Sequence, residues 1–186
     1  RGKAVRTAQR LRSILRLDHL EARASQMGAD HVSDVGLVIG NNAPNFTVGA
    51  NLMMVAMLAF QQEWDELNMA TNLFQQTSMR IKFALVPVVS AIRGMALGGG
   101  CEFQMHSART VAALESYVGL VEAGVGLLPG GGGCKEIALR SAERAQFVQG
   151  GDVLPFLQKY FQTVAMGTVS GSALEAKELG LLRATD

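Results

Sequence analysis

The sequence predicts an α/β domain. Three features carry this: short apolar runs rich in β-branched residues, helix-forming segments between them, and two glycine-rich loops after such runs. The run at 86–92 (VPVVSAI) is apolar at nearly every position, as a strand covered on both faces by helices must be, so a parallel sheet is expected.

The elements follow in chain order. Residues 1–27 read as helix ending near Gly28. The first sixteen carry Arg1, Lys3, Arg6, Arg10, Arg12 and Arg16 and no acid, which would suit an organelle transit peptide. Val5, Ala8, Leu11 and Leu15 recur at helical spacing, which favours a basic amphipathic helix or linker over 1–30 ahead of a domain over 31–186. Residues 35–39 (VGLVI), bounded by Asp34 and the turn residues GNNAPN, read as a buried strand. Residues 52–83 form helix with one break around 63–65, and Pro87 closes the segment before the strand at 86–92. After the stretch GMALGGGCEFQM a short helix is expected over 101–107. Strands are expected at 110–114 and 117–121, a glycine loop over 124–133, and a helix opening at 134–139. A helix over 155–164 presents Phe156, Leu157, Tyr160, Phe161 and Val164 as one apolar stripe. The last helix, 172–179, has Ser172 as cap, Glu175 three residues on, and Gly180 as stop.

The 186 residues suffice for one domain, and 48% hydrophobic with 18% charged residues allows a real core. A net charge of +1 gives no general case for nucleic-acid or membrane binding. The longest apolar run, 52–60 (LMMVAMLAF), is about half the roughly 18 residues a membrane span requires. Cys101 and Cys134, the two cysteines, are too few for a disulfide scaffold and fit a reducing compartment. No His/Cys cluster has metal-ligand spacing, so no metal is expected.

A strand, then glycines, then a helix exposes backbone N–H groups at the positive end of a helix dipole, so GMALGGGCE suits a negative oxygen: a phosphate, or a carbonyl becoming an oxyanion. The phosphate version has little support. Gly124, Gly126 and Gly130 miss the dinucleotide spacing by one residue, and Gly133-Cys134-Lys135-Glu136 lacks the Walker ending. Cys101 could be a nucleophile at a helix N-terminus, but His106, the nearest base, lies five residues on and well round the helix, so a small buried residue is the preferred reading. His106 could share a face with Glu102, four residues before it, although a solvated or core-edge histidine is the plainer expectation. Glu102 alone could be a solvated acid near a helix start, and Glu122 half of a salt bridge. Two carboxylates beside two glycine loops instead form a pair suited to moving protons on and off a substrate.

VPVVSAIRGMALGGGCEFQM followed by YVGLVEAGVGLLPGGGGCKEIAL closely resembles the crotonase family, the enoyl-CoA hydratase/isomerase superfamily. That family carries a P-V-V-A-A-x-x-G-x-A-L-G-G-G-x-E segment and then a P-E-x-x-x-G-L-x-P-G-x-G-G segment. Residues 45–52 (NFTVGANL) resemble its F-x-A-G-A-D-I loop, with Asn51 where many members have Asp. The resemblance is good over 36–133 and extends to 186, and residues 1–30 do not resemble the family's opening strand and helix. It implies a crotonase-like (ClpP/crotonase) ββα superhelix, here truncated. The wording is most similar to the crotonase module of bacterial 3-hydroxyacyl-CoA dehydrogenase/enoyl-CoA hydratase fusion proteins. The resemblance therefore implies a cytoplasmic bacterial protein, part of a longer chain.

The same resemblance implies roles. The backbone N–H groups of Ala50 and Gly99 would form an oxyanion hole for a thioester carbonyl. Glu102 and Glu122 align with the catalytic glutamates of the hydratases. Val48, Asn51, Leu52 and Gly98 would meet the acyl-CoA substrate. The implied reaction is reversible syn hydration of a trans-2-enoyl-CoA. Coenzyme A is part of the substrate, no further cofactor is expected in this segment, and NAD would belong only to missing modules. A homo-oligomer or further modules of the same polypeptide are the expected partners. An isomerase or other crotonase reaction, and a non-catalytic acyl-CoA-binding module, stay open. Met53, Met54 and Met57 could line an acyl pocket, although ordinary helix core is the plainer reading.

Overall fold

A computed structural model describes residues 21–26, 35–41 and 43–186. Four strands form one sheet in the order β1-β2-β3-β4: β1 (Glu21–Gln26), β2 (Val35–Gly40), β3 (Val88–Leu97) and β4 (Arg109–Gly119). β1 pairs antiparallel with β2, Glu21 opposite Gly40 and Gln26 opposite Val35. β2–β3 and β3–β4 are parallel, as the apolar run at 86–92 predicts. The expected helix over 1–27 is therefore corrected to a strand over its last described residues, where pairing with the edge of β2 overrides local helix preference. The basic segment before it lies outside the described residues.

Helices α1 (Leu52–Phe60) and α2 (Trp64–Lys82) break where expected, through Gln62 in the left-handed region at φ 59°. α2 has Asp65 and Glu66 in its first turn and Arg80 and Lys82 in its last, matching its dipole. α3 (Gly99–His106) leaves β3 at once and leads to β4. The two strands expected at 110–114 and 117–121 are one continuous β4. The polar Glu115 and Ser116 lie where the β3–β4 register shifts between Ile92 and Gly94, so the strand passes through the irregularity instead of turning. α4 (Gly133–Ala145), α5 (Leu154–Ala165) and α6 (Ala173–Glu178) follow. In α6 the Ser172 hydroxyl accepts from Glu175 N–H as predicted, while the Glu175 carboxylate reaches the Gly171 N–H, one residue beyond the expected partner.

The core brings Phe46, Ile92, Met105, Val118, Leu120 and Leu181 together between β3, β4 and the helices. The predicted α5 stripe splits: Tyr160 is buried at 5% exposure, whereas Phe161 is 67% exposed. None of the described helices is long and apolar enough to cross a membrane.

Candidate active site

Three backbone segments converge at the C-terminal end of β3. Residues 46–49 run beside the strand: Phe46 N–H donates to Arg93 O, Thr47 N–H to Met95 O, and Leu97 N–H to Thr47 O, each at 3.0 Å. Thr47 and Ala96 form a parallel bridge. The next residue pair along this ladder turns outward on glycines, Gly49 at φ 89° and Gly98 at φ 52°. A Cβ on Gly49 would lie 3.3 Å from Leu97 O, so the 47–50 loop is packed onto the strand end. Gly98 N–H is fixed by Gly119 O at 2.8 Å, and Gly99 opens α3. Its N–H is among those a helix leaves without an internal partner. Ala50 and Gly99 thus follow directly on two chain segments held side by side.

Glu102 lies in the first turn of α3 and is only 2% exposed, so the reading as a solvated acid fails. Its Oε1 accepts from Gly133 N–H at 2.8 Å. Burial pushes its carboxyl up to about 7, the amides of Gly133, Gly131 and Gly132 pull the other way, and the charge of Glu122 raises it further. Glu122 opens a 3-10 turn, Glu122–Val125, after β4. Burial raises its carboxyl too, and its Oε2 is buried with no hydrogen-bond partner. Among the described residues it has no ion pair, so the salt-bridge reading is not met. Its Oε1 would lie 3.2 Å from a Cβ on Gly98, which places this carboxylate against the turn that precedes Gly99. The structure therefore brings Glu102, Glu122, Gly98 and Gly99 together between the two glycine loops.

The remaining sequence candidates divide. Val48 and Leu52 are exposed beside the loop at 40% and 46%. The Asn51 side chain is engaged in the fold: its Oδ1 accepts from Met54 N–H at 3.3 Å and caps α1. Met53 and Met57 are 73% and 48% exposed, which corrects the helix-core reading, while Met54 packs against Leu58 and Ala70. Cys101 is fully buried, and burial pushes its thiol up to about 12, which removes it as a nucleophile. His106 is 2% exposed, which corrects the solvated reading; its Nδ1 lies 2.7 Å from the backbone oxygen of Glu102.

Sequence reasoning missed Phe74. This α2 residue packs against Phe103 with ring centroids 4.6 Å apart and planes tilted by 38°, and wedges between the loops: a Cβ on Gly99 would come within 2.9 Å of its ring, and one on Gly131 would overlap it. No local signal marks it, because its partners lie 25 or more residues downstream. A separate cavity of about 270 Å³, lined by Arg140, Arg144, Tyr160, Lys177 and Arg183 among others, includes neither glutamate and no residue of the two glycine loops.

The sequence model for enoyl-CoA hydratase/isomerase matches residues 25–147, which include both glycine loops, Glu102 and Glu122. The chain belongs to the enoyl-CoA hydratase/isomerase family. Its fold is the crotonase fold: an enoyl-CoA hydratase from Polaromonas sp. JS666 superposes with a TM-score of 0.64 at 16% identity, over 87% of this chain and 68% of that one. A Thermobifida fusca YX protein solved in complex with acetoacetyl-CoA superposes with a TM-score of 0.60 at 18% identity, over 78% of this chain and 54% of that one. In sequence, a Bacillus subtilis (strain 168) protein named "Probable 3-hydroxyacyl-CoA dehydrogenase" is 48% identical over 151 residues, 81% of this chain and 18% of the relative. The fatty acid oxidation complex subunit alpha of Colwellia psychrerythraea is 33% identical over 98 residues, 53% of this chain and 13% of the relative. The chain thus spans less than a fifth of these relatives' length.

Proposed function

We propose that this family member is an enoyl-CoA hydratase module of fatty-acid β-oxidation, a cytoplasmic bacterial enzyme in a longer polypeptide with 3-hydroxyacyl-CoA dehydrogenase activity. The observation that carries the reading is the pair of carboxylates beside the Gly98–Gly99 turn, Glu102 buried and Glu122 half-buried, both with their proton affinity raised by burial. The thioester carbonyl of a trans-2-enoyl-CoA accepts hydrogen bonds from the Ala50 and Gly99 amides. Polarised in this way, its β-carbon takes up a water held between Glu102 and Glu122. One carboxylate removes a proton from that water and the other delivers a proton to the α-carbon on the same face. Enolate charge builds on the thioester oxygen, where losing one donor typically costs about 3 kcal/mol of barrier. Positioned carboxylates contribute about 10²–10⁴-fold.

Val48, Leu52 and the Gly98 turn border the acyl-CoA at its thioester end, and the exposed Met53 and Met57 are free to meet its chain. A relative named as a dehydrogenase and another as a fatty acid oxidation complex subunit support the wider setting. Retention of both carboxylates favours hydration over a double-bond shift, which needs only one group to move a proton. The test is to offer crotonyl-CoA and a 3-enoyl-CoA to the full-length protein. Loss of the enoyl-thioester absorbance with formation of 3-hydroxybutyryl-CoA supports the reading. Conversion of the 3-enoyl substrate alone assigns an isomerase, and binding of crotonyl-CoA without turnover assigns a binding module.

A further inference from the structure

A charge cluster centred on the buried Glu136 lies under α3, and the hydration chemistry does not use it. Glu136 of α4 is fully buried. Its Oε1 takes Lys82 Nζ of α2 at 2.6 Å and Lys135 Nζ at 3.1 Å, and Arg183 stands 3.8 Å from its Oε2. Burial opposes ionisation of Glu136, but the two lysines outweigh it and hold its carboxyl below the usual range. His106 links the cluster to α3: its Nε2 lies 3.0 Å from Lys135 Nζ and 3.5 Å from Glu136 Oε1.

The bonding partners fix the state of this imidazole. A carbonyl oxygen only accepts, so Nδ1 carries the hydrogen and donates to Glu102 O at 2.7 Å. An ammonium only donates, so Nε2 offers its lone pair to Lys135 and the ring is neutral. Burial lowers the affinity of His106 for a second proton, Lys135 and Lys82 lower it further, and the Glu102 carbonyl and Glu136 oppose them. The same ring fills the space beside Gly132, where a Cβ would come within 2.8 Å of Nε2. Gly132, at φ 112°, is the cap of α4, and the next amide, Gly133 N–H, holds the Glu102 carboxylate.

We infer that His106 is a positioning residue: it ties the Glu102 backbone on one side and the Gly132 cap on the other, so that the Lys82–Glu136–Lys135 cluster sets the distance between the Glu102 carboxylate and the Gly133 amide. This rests on the catalytic reading of Glu102 for its effect on rate, but not for its effect on the proton affinity of that carboxylate. Groups bearing on that affinity are the Gly131–Gly133 amides and Glu122; those facing His106 are Glu102 O, Lys82, Lys135 and Glu136. Loosening the Gly133 bond removes a force that lowers the Glu102 pKa, so the carboxyl should titrate at higher pH.

The experiment uses the full-length protein and the variants H106L, H106N, K135M and E102Q. The Glu102 titration is read by 13C NMR of labelled glutamate, assigned by the signal missing in E102Q; kcat and KM are read with crotonyl-CoA. H106L should raise the Glu102 midpoint and lower kcat about tenfold with KM little changed, the rate equivalent of one buried hydrogen bond. H106N, whose side-chain amide can replace the Nδ1–H donor but not the contacts of Nε2 with Lys135 and Gly132, should recover part of both. Lys135 is 41% exposed, so K135M should fold and still raise the midpoint if H106L does not fold. An unchanged midpoint in folded H106L or K135M overturns the inference, as does an H106N no better than H106L. E102Q with wild-type turnover refutes the catalytic reading instead, and leaves the NMR midpoint to decide the positioning role.

Discussion

The carboxylate of Glu102 accepts a 2.8 Å hydrogen bond from the amide of Gly133, 31 residues further along the chain. This bond joins the two glycine loops. It also makes the second loop a support for an acid borne by the helix that leaves the first, so small changes in either loop should be felt at the carboxylate.

Adjacent glycines in the second loop should therefore respond very differently to alanine. A Cβ on Gly131 would overlap the Phe74 ring and approach Glu102 Oε2 to 2.5 Å, whereas one on Gly130 meets only ordinary contacts at 3.7 Å and beyond. G131A is predicted to cost about 1–3 kcal/mol of stability and about 100-fold in kcat through displacement of the carboxylate. G130A should be close to wild type in both. Thermal melts and crotonyl-CoA turnover of the two variants check this.

Glu102 should make the protein less stable as the pH rises. Its carboxyl titrates at about 7 in the folded chain against 4.5 ordinarily, so between these values the folded state binds more protons than the unfolded one and stability falls with pH. E102Q is predicted to be more stable than wild type above pH 7, by on the order of 3 kcal/mol. The advantage should close as the pH falls towards 4.5. Denaturant unfolding of both proteins across this range measures it.

The two thiols should separate under a thiol reagent. Cys101 is wholly buried with its thiol pushed up to about 12, whereas Cys134 is exposed, its thiol raised by burial and then by the charges of Glu102 and Glu122. One equivalent is predicted to react slowly at Cys134 in the native protein and the second only after unfolding. C134S should abolish the native reaction.

Much of this site was legible because its parts are local in sequence. The glycine run after an apolar strand marked Gly98 and Gly99, and the paired acids stood beside the two loops. The break between α1 and α2 and the cap of α6 were legible for the same reason. β1 was not: its strand state comes from pairing with β2, not from its own residues. β4 was divided because the polar pair at 115–116 mimics a turn, and only the shifted register of β3 shows that it is strand. Phe74, and the bond from Lys82 to Glu136 across 54 residues, depend on packing between elements far apart in the chain, where spacing carries no signal. The spacing of His106 and Glu102 is legible, but the charge cluster around Glu136 that holds His106 is not.

The most direct test of the central claim is the rate of water addition to crotonyl-CoA by E102Q and E122Q, each compared with wild type under saturating substrate. If the two carboxylates move the protons, each substitution should lower kcat by about 10²–10⁴-fold while the protein stays folded and still binds the thioester. Wild-type turnover in either variant would contradict the account.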